Sequence, residues 1–167
     1  MKMHLVGLAI LSVLMGAVSL PSTAQNDDLR VTIHTDKKVY RIGEPMHCTL
    51  ILGNTGNQPL VVNKRLVLNH SAFFPHEVLF SITAPDGKML SFIPMVMVSI
   101  NPKPEDFVTL YPSQFVRRTW ELTQYFSFEK EGRYRIQALY ENYYEPPGMS
   151  VWKGKITSNK VEVEVTK

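Results

Sequence analysis

The sequence predicts an all-β protein built from short antiparallel strands. Runs in which apolar and polar residues alternate recur along the chain, as expected of strands with one buried face. Glycine or proline interrupts nearly every run of more than about ten residues, which disfavours long helices. No apolar stripe with helical spacing extends beyond one turn. Together these observations predict an antiparallel sandwich or barrel.

The first 24 residues have the features of a cleaved secretory signal peptide. A basic start precedes the apolar run 5–20, and small residues at Ser22 and Ala24 suit signal peptidase. The run of about 16 residues is shorter than the roughly 20 that a membrane-spanning helix needs. We therefore expect cleavage after Ala24, a single domain over residues 25–167, and a secreted or periplasmic product.

The alternation defines the strands in order along the mature chain. In the first strand Val31 and Ile33 face one way and Thr32 the other. Between the fourth and fifth strands, Pro85-Asp86-Gly87 predicts a turn, because proline fixes φ and glycine supplies a positive φ. The predicted strands cover residues 29–34, 46–52, 58–63 with 65–68 as an extension, 78–84, 89–93, 107–110, 115–122, 133–140 and 156–165.

The length of the mature chain favours a sandwich of immunoglobulin type over a barrel. Tyr134 opens the penultimate strand after a charged turn, as the tyrosine of a tyrosine corner does, with its hydroxyl bonded back to upstream backbone. Cys48 stands where such domains have their first cysteine, and Ile136 stands where they have the second. We predict a single antiparallel immunoglobulin-like β-sandwich of about 7–9 strands, with Cys48 as a buried thiol against an aliphatic side chain.

Several stretches resemble known sandwich domains. The opening blocks, Thr35-Asp-Lys-Lys-Val-Tyr-Arg-Ile-Gly-Glu-Pro45, 46–52 and 54–62, resemble exported bacterial immunoglobulin-like domains and macroglobulin-type domains. Blocks in the second half resemble the non-catalytic sandwich that precedes the protease domain of deuterolysin-like zinc peptidases: 105–113, 120–125, 131–136 and 156–159. The resemblance implies a sandwich fold. It does not carry peptidase activity, because no His-Glu-x-x-His is present, and Ser113 stands where the pattern usually has glycine.

Composition and cysteine content exclude several functional classes. The chain has 18 Lys+Arg and 15 Asp+Glu with the two signs interleaved, which argues against a nucleic-acid partner. Cys48 is the only cysteine, so no disulfide forms within the chain, and it lies too far from the cleavage site to anchor a lipid. No segment after the signal peptide is apolar enough to span a membrane.

The residues suited to chemistry do not form a recognisable active site. His70 and His76, with Met95 and Met97, are the best candidates for a copper site, but such a site needs at least three converging ligands. No Ser-His-Asp or Cys-His arrangement has supporting local context. We expect no catalytic residue, no metal and no cofactor. A periplasmic copper-handling protein remains an alternative.

The connection between the last two strands is unusually long and aromatic. Tyr143, Tyr144, Met149 and Trp152 are more large side chains than a surface loop readily buries, and rings on a proline-stiffened loop give contact area at low ordering cost. We predict that these four residues bind an exported or cell-surface protein partner. Two alternatives remain: Trp152 and one tyrosine fold back as a lid, or the rings stack on a carbohydrate.

The predicted function is that of an exported, non-enzymatic binding or accessory module acting through protein–protein contacts. A loop-inserting protease inhibitor is an alternative that uses the same loop.

Overall fold

The computed structural model describes residues 28–68, 77–93 and 101–167, and within them the chain is all-β, as predicted. Two short 3-10 turns are the only helical segments in this part of the chain, and none of its helices is long and apolar enough to cross a membrane. The strands are β1 (Leu29–Thr35), β2 (Val39–Arg41), β3 (His47–Asn54), β4 (Leu60–Asn63), β5 (Val78–Thr83), β6 (Phe107–Leu110), β7 (Phe115–Glu121), β8 (Gly132–Asn142) and β9 (Gly154–Thr166).

The predicted signal peptide lies outside the described residues. So do His70, His76, Met95 and Met97, the candidate copper ligands.

The described strands form three sheets. Sheet A has the order β1-β3-β7, sheet B the order β2-β9-β8-β5, and sheet C pairs β4 with β6. Neighbouring strands are antiparallel except β2 and β9, which are parallel. The sequence did not predict β2, because a strand of three residues with Tyr40 as its single buried member is too short to show alternation.

Sheets A and B contribute side chains to one hydrophobic core. Alternate residues of β3 and β8 are buried, so each strand turns one face inward. Phe80 on β5 meets Trp120 on β7 edge to face, with ring centroids 5.5 Å apart, which joins the two sheets through an aromatic contact. Cys48 on β3 is fully buried, as predicted, and its register partner on β7 is the aromatic Trp120.

An asparagine side chain connects β1 to β9. The Ile33 backbone N–H donates to Asn159 Oδ1 at 2.8 Å, and Asn159 Nδ2 donates to the Ile33 carbonyl at 3.0 Å. The amide of Asn159 thereby takes the place of a neighbouring strand at this point of the β1 edge. It satisfies two backbone groups that sheet A leaves unpaired.

The tyrosine corner is present. The Lys130 N–H donates to the Tyr134 hydroxyl at 3.1 Å, and that hydroxyl donates to the Lys130 carbonyl at 2.9 Å. Tyr134 is buried and packs on Phe128, with ring centroids 5.1 Å apart. A second tyrosine is fixed in a similar way, since the Tyr40 hydroxyl accepts from the Lys37 N–H and donates to Asp36 Oδ1.

The chain around Pro85 turns as predicted but does not continue into a second strand. Gly87 has φ +83° and its N–H donates to the Ala84 carbonyl at 2.9 Å. Beyond one isolated bridge between Thr83 and Met89, the segment 89–93 forms no strand. Its last residue instead donates to the Tyr125 carbonyl, which draws the chain away from the β5 edge.

The turn between β6 and β7 places Ser113 at a backbone conformation that favours glycine. Ser113 has φ +68°, and the Gln114 N–H donates to the Tyr111 carbonyl at 2.9 Å. With Pro112 before it, Ser113 occupies the third position of a type II turn, which favours glycine because φ is positive there. Ser113 therefore adopts the left-handed backbone conformation, which costs free energy in an L-residue with a side chain.

Candidate interaction surfaces

The four residues predicted to bind a partner occupy different environments. Tyr143 is 64% exposed, Tyr144 and Met149 are half-buried, and Trp152 is only 7% exposed. The Trp152 ring stacks on Tyr140 with centroids 5.6 Å apart. The Trp152 ring is therefore folded back onto the protein, which is one of the two alternatives given above. Of the four residues only Tyr143 is largely exposed. The binding role of this loop stays a prediction.

The ends of the 143–153 loop are fixed by hydrogen bonds. The buried Asn142 side chain donates from Nδ2 to the Tyr144 carbonyl at 3.1 Å and to the Trp152 carbonyl at 2.8 Å. The Trp152 N–H donates to the Val61 carbonyl on β4 at 2.8 Å. One amide group thus closes the loop at its base, and a second contact attaches the loop to sheet C.

The rest of the loop is also internally bonded. Met149 N–H donates to the Pro146 carbonyl at 3.1 Å, and Lys153 Nζ lies 2.6 Å from Glu145 Oε2. The hydrogen bond from Lys153 lowers the pKa of the Glu145 carboxyl below its ordinary value. These contacts order the loop that begins at Tyr143. A loop that is already ordered loses little conformational entropy when it binds a partner.

An ion pair between the half-buried Arg65 and the buried Glu77 fixes the chain after β4. Arg65 Nε donates to Glu77 Oε1 at 2.8 Å, and Glu77 Oε2 accepts from the Val67 N–H at 2.9 Å. Arg118 on β7 donates from Nη1 to the Arg65 carbonyl at 2.7 Å. These hydrogen bonds hold the irregular segment 64–68 in place. We therefore assign the cluster a structural role.

Metal-binding geometry is not found in the described part of the chain. Residues 28–68, 77–93 and 101–167 bring no three His, Cys, Asp or Glu side chains together in a group that could hold an ion. Asp36 and His47 approach as a pair, with Oδ2 and Nδ1 3.7 Å apart.

A second surface, which the sequence analysis did not predict, lies on the outer face of sheet A. An open groove of about 390 Å³ crosses the ends of β1, β3 and β7. We call it the sheet A groove; it is lined by Arg30, Thr32, Ile51, Gly53, Asn54, Thr55, Ser113, Gln114 and Phe115.

Strand register builds the sheet A groove. Gly53 pairs with Arg30 on one side and with Phe115 on the other. Because Gly53 has no side chain, the floor of the groove is open backbone between a cationic and an aromatic side chain. Ile51, in the next outward row, pairs with Thr32 and with Arg117. Phe115 remains 56% exposed beside the glycine.

The sequence contained one signal for this surface. Alternation places Arg30 on the wet face of β1, but the meeting of Arg30, Gly53 and Phe115 depends on the register of three strands that are far apart along the chain. A single sequence does not give that register.

The sequence matches no protein-family model and no curated protein. The resemblance to exported immunoglobulin-like domains therefore rests on the motifs themselves.

Proposed function

We propose that this chain is an exported immunoglobulin-like β-sandwich that works as a non-enzymatic binding or accessory module through protein–protein contacts. The sheet orders, the parallel pairing of β2 with β9 and the tyrosine corner at Tyr134 support the immunoglobulin-like assignment. The apolar run and small residues before Gln25 support export.

The observation that carries the binding proposal is the presentation of Tyr143. Its ring is largely exposed, while the Asn142 amide on one side and the buried Trp152 on the other fix the loop that bears it. Tyrosine supplies large amphipathic contact area with few torsions to order, so a fixed and exposed tyrosine is suited to anchor a partner. Trp152 supports that presentation from inside the protein.

The binding proposal is tested by site-specific photo-crosslinking in the producing cells. A photoreactive phenylalanine analogue replaces Tyr143 in one variant and Tyr111, which is 57% exposed on a different turn, in the matched control. We expect a discrete crosslinked protein of defined mass from position 143 and none from position 111. The proposal is wrong if position 143 gives no adduct or if both positions give the same adducts.

Export is tested separately by the mass of the mature protein. Purification from the medium or periplasm should give a chain that begins at Gln25. A chain that keeps its first 24 residues and stays in the cytoplasm contradicts the assignment.

A further inference from the structure

Arginines on the outer faces of the two large sheets differ in whether they form ion pairs. On sheet B, Arg133 and Arg135 both approach Glu162 across the β8–β9 pair, at 3.6 and 3.4 Å. On sheet A, Arg30 and Arg117 form no ion pair within the described part of the chain. The β8–β9 pair of sheet B therefore places a carboxylate beside both of its arginines, whereas Arg30 and Arg117 on sheet A have no such neighbour among the described residues.

Among the described residues, two acidic side chains lie at the ends of the same strands, and neither forms an ion pair with these arginines. Glu121, at the far end of β7, accepts from the Thr123 hydroxyl and the Gln124 amide. The Asp28 side chain, at the start of β1, packs so closely on Gly56 that a Cβ added there would overlap it. Because no ion pair holds Arg30 or Arg117 within residues 28–68, 77–93 and 101–167, both guanidinium groups can pair with a carboxylate from outside.

Apolar surface accompanies this charge. The exposed ring of Phe115 and the half-buried Ile51 flank Gly53, whose missing side chain leaves room between them. An aromatic ring paired across the strands with a glycine also covers the backbone of that glycine. This role explains an aromatic residue at position 115, but it does not explain why Arg30 and Arg117 have no ion-pair partner among the described residues. A ligand that carries only charge would leave this apolar surface unused.

From these observations we propose that the sheet A groove binds an extended acidic segment of a partner protein. Arg30 lines the groove, and Arg117 lies beside it on the same face, two residues beyond Phe115. The two arginines are two strands and two residues apart, which places their Cα atoms roughly 12 Å from each other. In an extended chain, residues four apart share one face and lie about 13 Å apart. The segment therefore carries carboxylates at the first and fifth positions, one for each arginine, and an apolar or aromatic residue at the third position against Phe115.

This proposal concerns a surface other than the 143–153 loop, so either can fail without the other. It is tested with the mature chain and a labelled synthetic peptide in which the pattern glutamate-serine-tyrosine-serine-glutamate occurs twice, with affinity read by fluorescence anisotropy. Two comparison peptides replace either both glutamates of each pattern by glutamine or the tyrosine by serine. We expect the parent peptide to bind more tightly than both, and more weakly as salt rises.

Variants of the protein separate the groove from net charge. The double variant Arg30→Glu/Arg117→Glu should weaken binding of the parent peptide by about tenfold or more, because it replaces attraction by repulsion at both ends of the segment. The charge-matched control Arg41→Glu/Lys160→Glu changes net charge equally outside the groove and should leave binding within about twofold. Phe115→Ser should remove the advantage of the tyrosine peptide over its serine form, and thermal unfolding checks that each variant is folded.

Three outcomes overturn the proposal: no binding of the parent peptide, equal loss in the charge-matched control, or tight binding of heparin that depends on Arg30 and Arg117 but not on Phe115. The last outcome assigns the groove to a sulfated polysaccharide instead of a protein.

Discussion

Tyr134→Phe measures the contribution of the tyrosine corner to stability. The substitution removes the hydroxyl that both accepts from and donates to the Lys130 backbone, and it keeps the ring and its contact with Phe128. A hydrogen bond of this kind contributes about 1 kcal/mol net, so two of them contribute about 2 kcal/mol. The loss is nearer 1 kcal/mol where water reaches the freed backbone groups of Lys130 and nearer 3 kcal/mol where it does not.

Equilibrium unfolding in urea, followed by tryptophan fluorescence and circular dichroism, gives this loss directly. With a slope of about 1–3 kcal/mol per molar urea, a loss of 2 kcal/mol moves the midpoint by roughly 1 M. Tyr143→Phe is the matched control, because it removes a hydroxyl from a largely exposed tyrosine and should leave the midpoint unchanged. If the two variants unfold at the same urea concentration, the hydroxyl of Tyr134 does not stabilise the fold.

Substitutions at three further positions test other parts of the structure. Cys48→Ala should lower the unfolding free energy by about 1–2 kcal/mol, and the native thiol should resist a labelling reagent until denaturant is added, because burial raises its pKa to about 12. Ser113→Gly should leave the melting temperature unchanged or raise it, whereas Ser113→Val should destabilise by about 1–2 kcal/mol, since only glycine adopts positive φ freely. Burial raises the pKa of Asp36, but hydrogen bonds from the Tyr40 hydroxyl and the His47 N–H outweigh it, so the pKa lies below the ordinary 3.8. A lowered pKa stabilises the fold above that value and ceases to do so as pH falls through the folded-state pKa, so the stability difference between wild type and Asp36→Asn should shrink in acid.

The alternation of apolar and polar residues predicted the strands that bury one face and leave the other accessible to solvent. β1, β3, β8 and β9 were predicted within a few residues because each is long enough for its buried positions to repeat. β2 was missed because it is three residues long. Residues 89–93 were wrongly predicted as a strand: Phe92 stacks on Tyr125 and the Ile93 N–H donates to the Tyr125 carbonyl instead of to a neighbouring strand.

The surfaces were harder to predict than the strands. Whether Trp152 is exposed depends on the Tyr140 ring and the Val61 carbonyl that receive it, and these come from two different sheets. The sheet A groove depends on the pairing of Arg30, Gly53 and Phe115 across three strands. Both are products of tertiary register, which local residue patterns do not encode.

The position of β9 has a consequence for how the chain folds as it is synthesised. The strand lies between β2 and β8 in sheet B, and its Asn159 bonds to the β1 edge at Ile33. The second described strand therefore finds its partner in the last one, and the first strand has its edge bonded by that same strand. A chain that emerges from its N-terminal side cannot complete this closure until residues 154–166 have appeared. Until then the β1 edge remains open to other chains, and such long-range closure makes folding slow. The chain therefore becomes resistant to proteolysis only after its last described strand has been made and has paired.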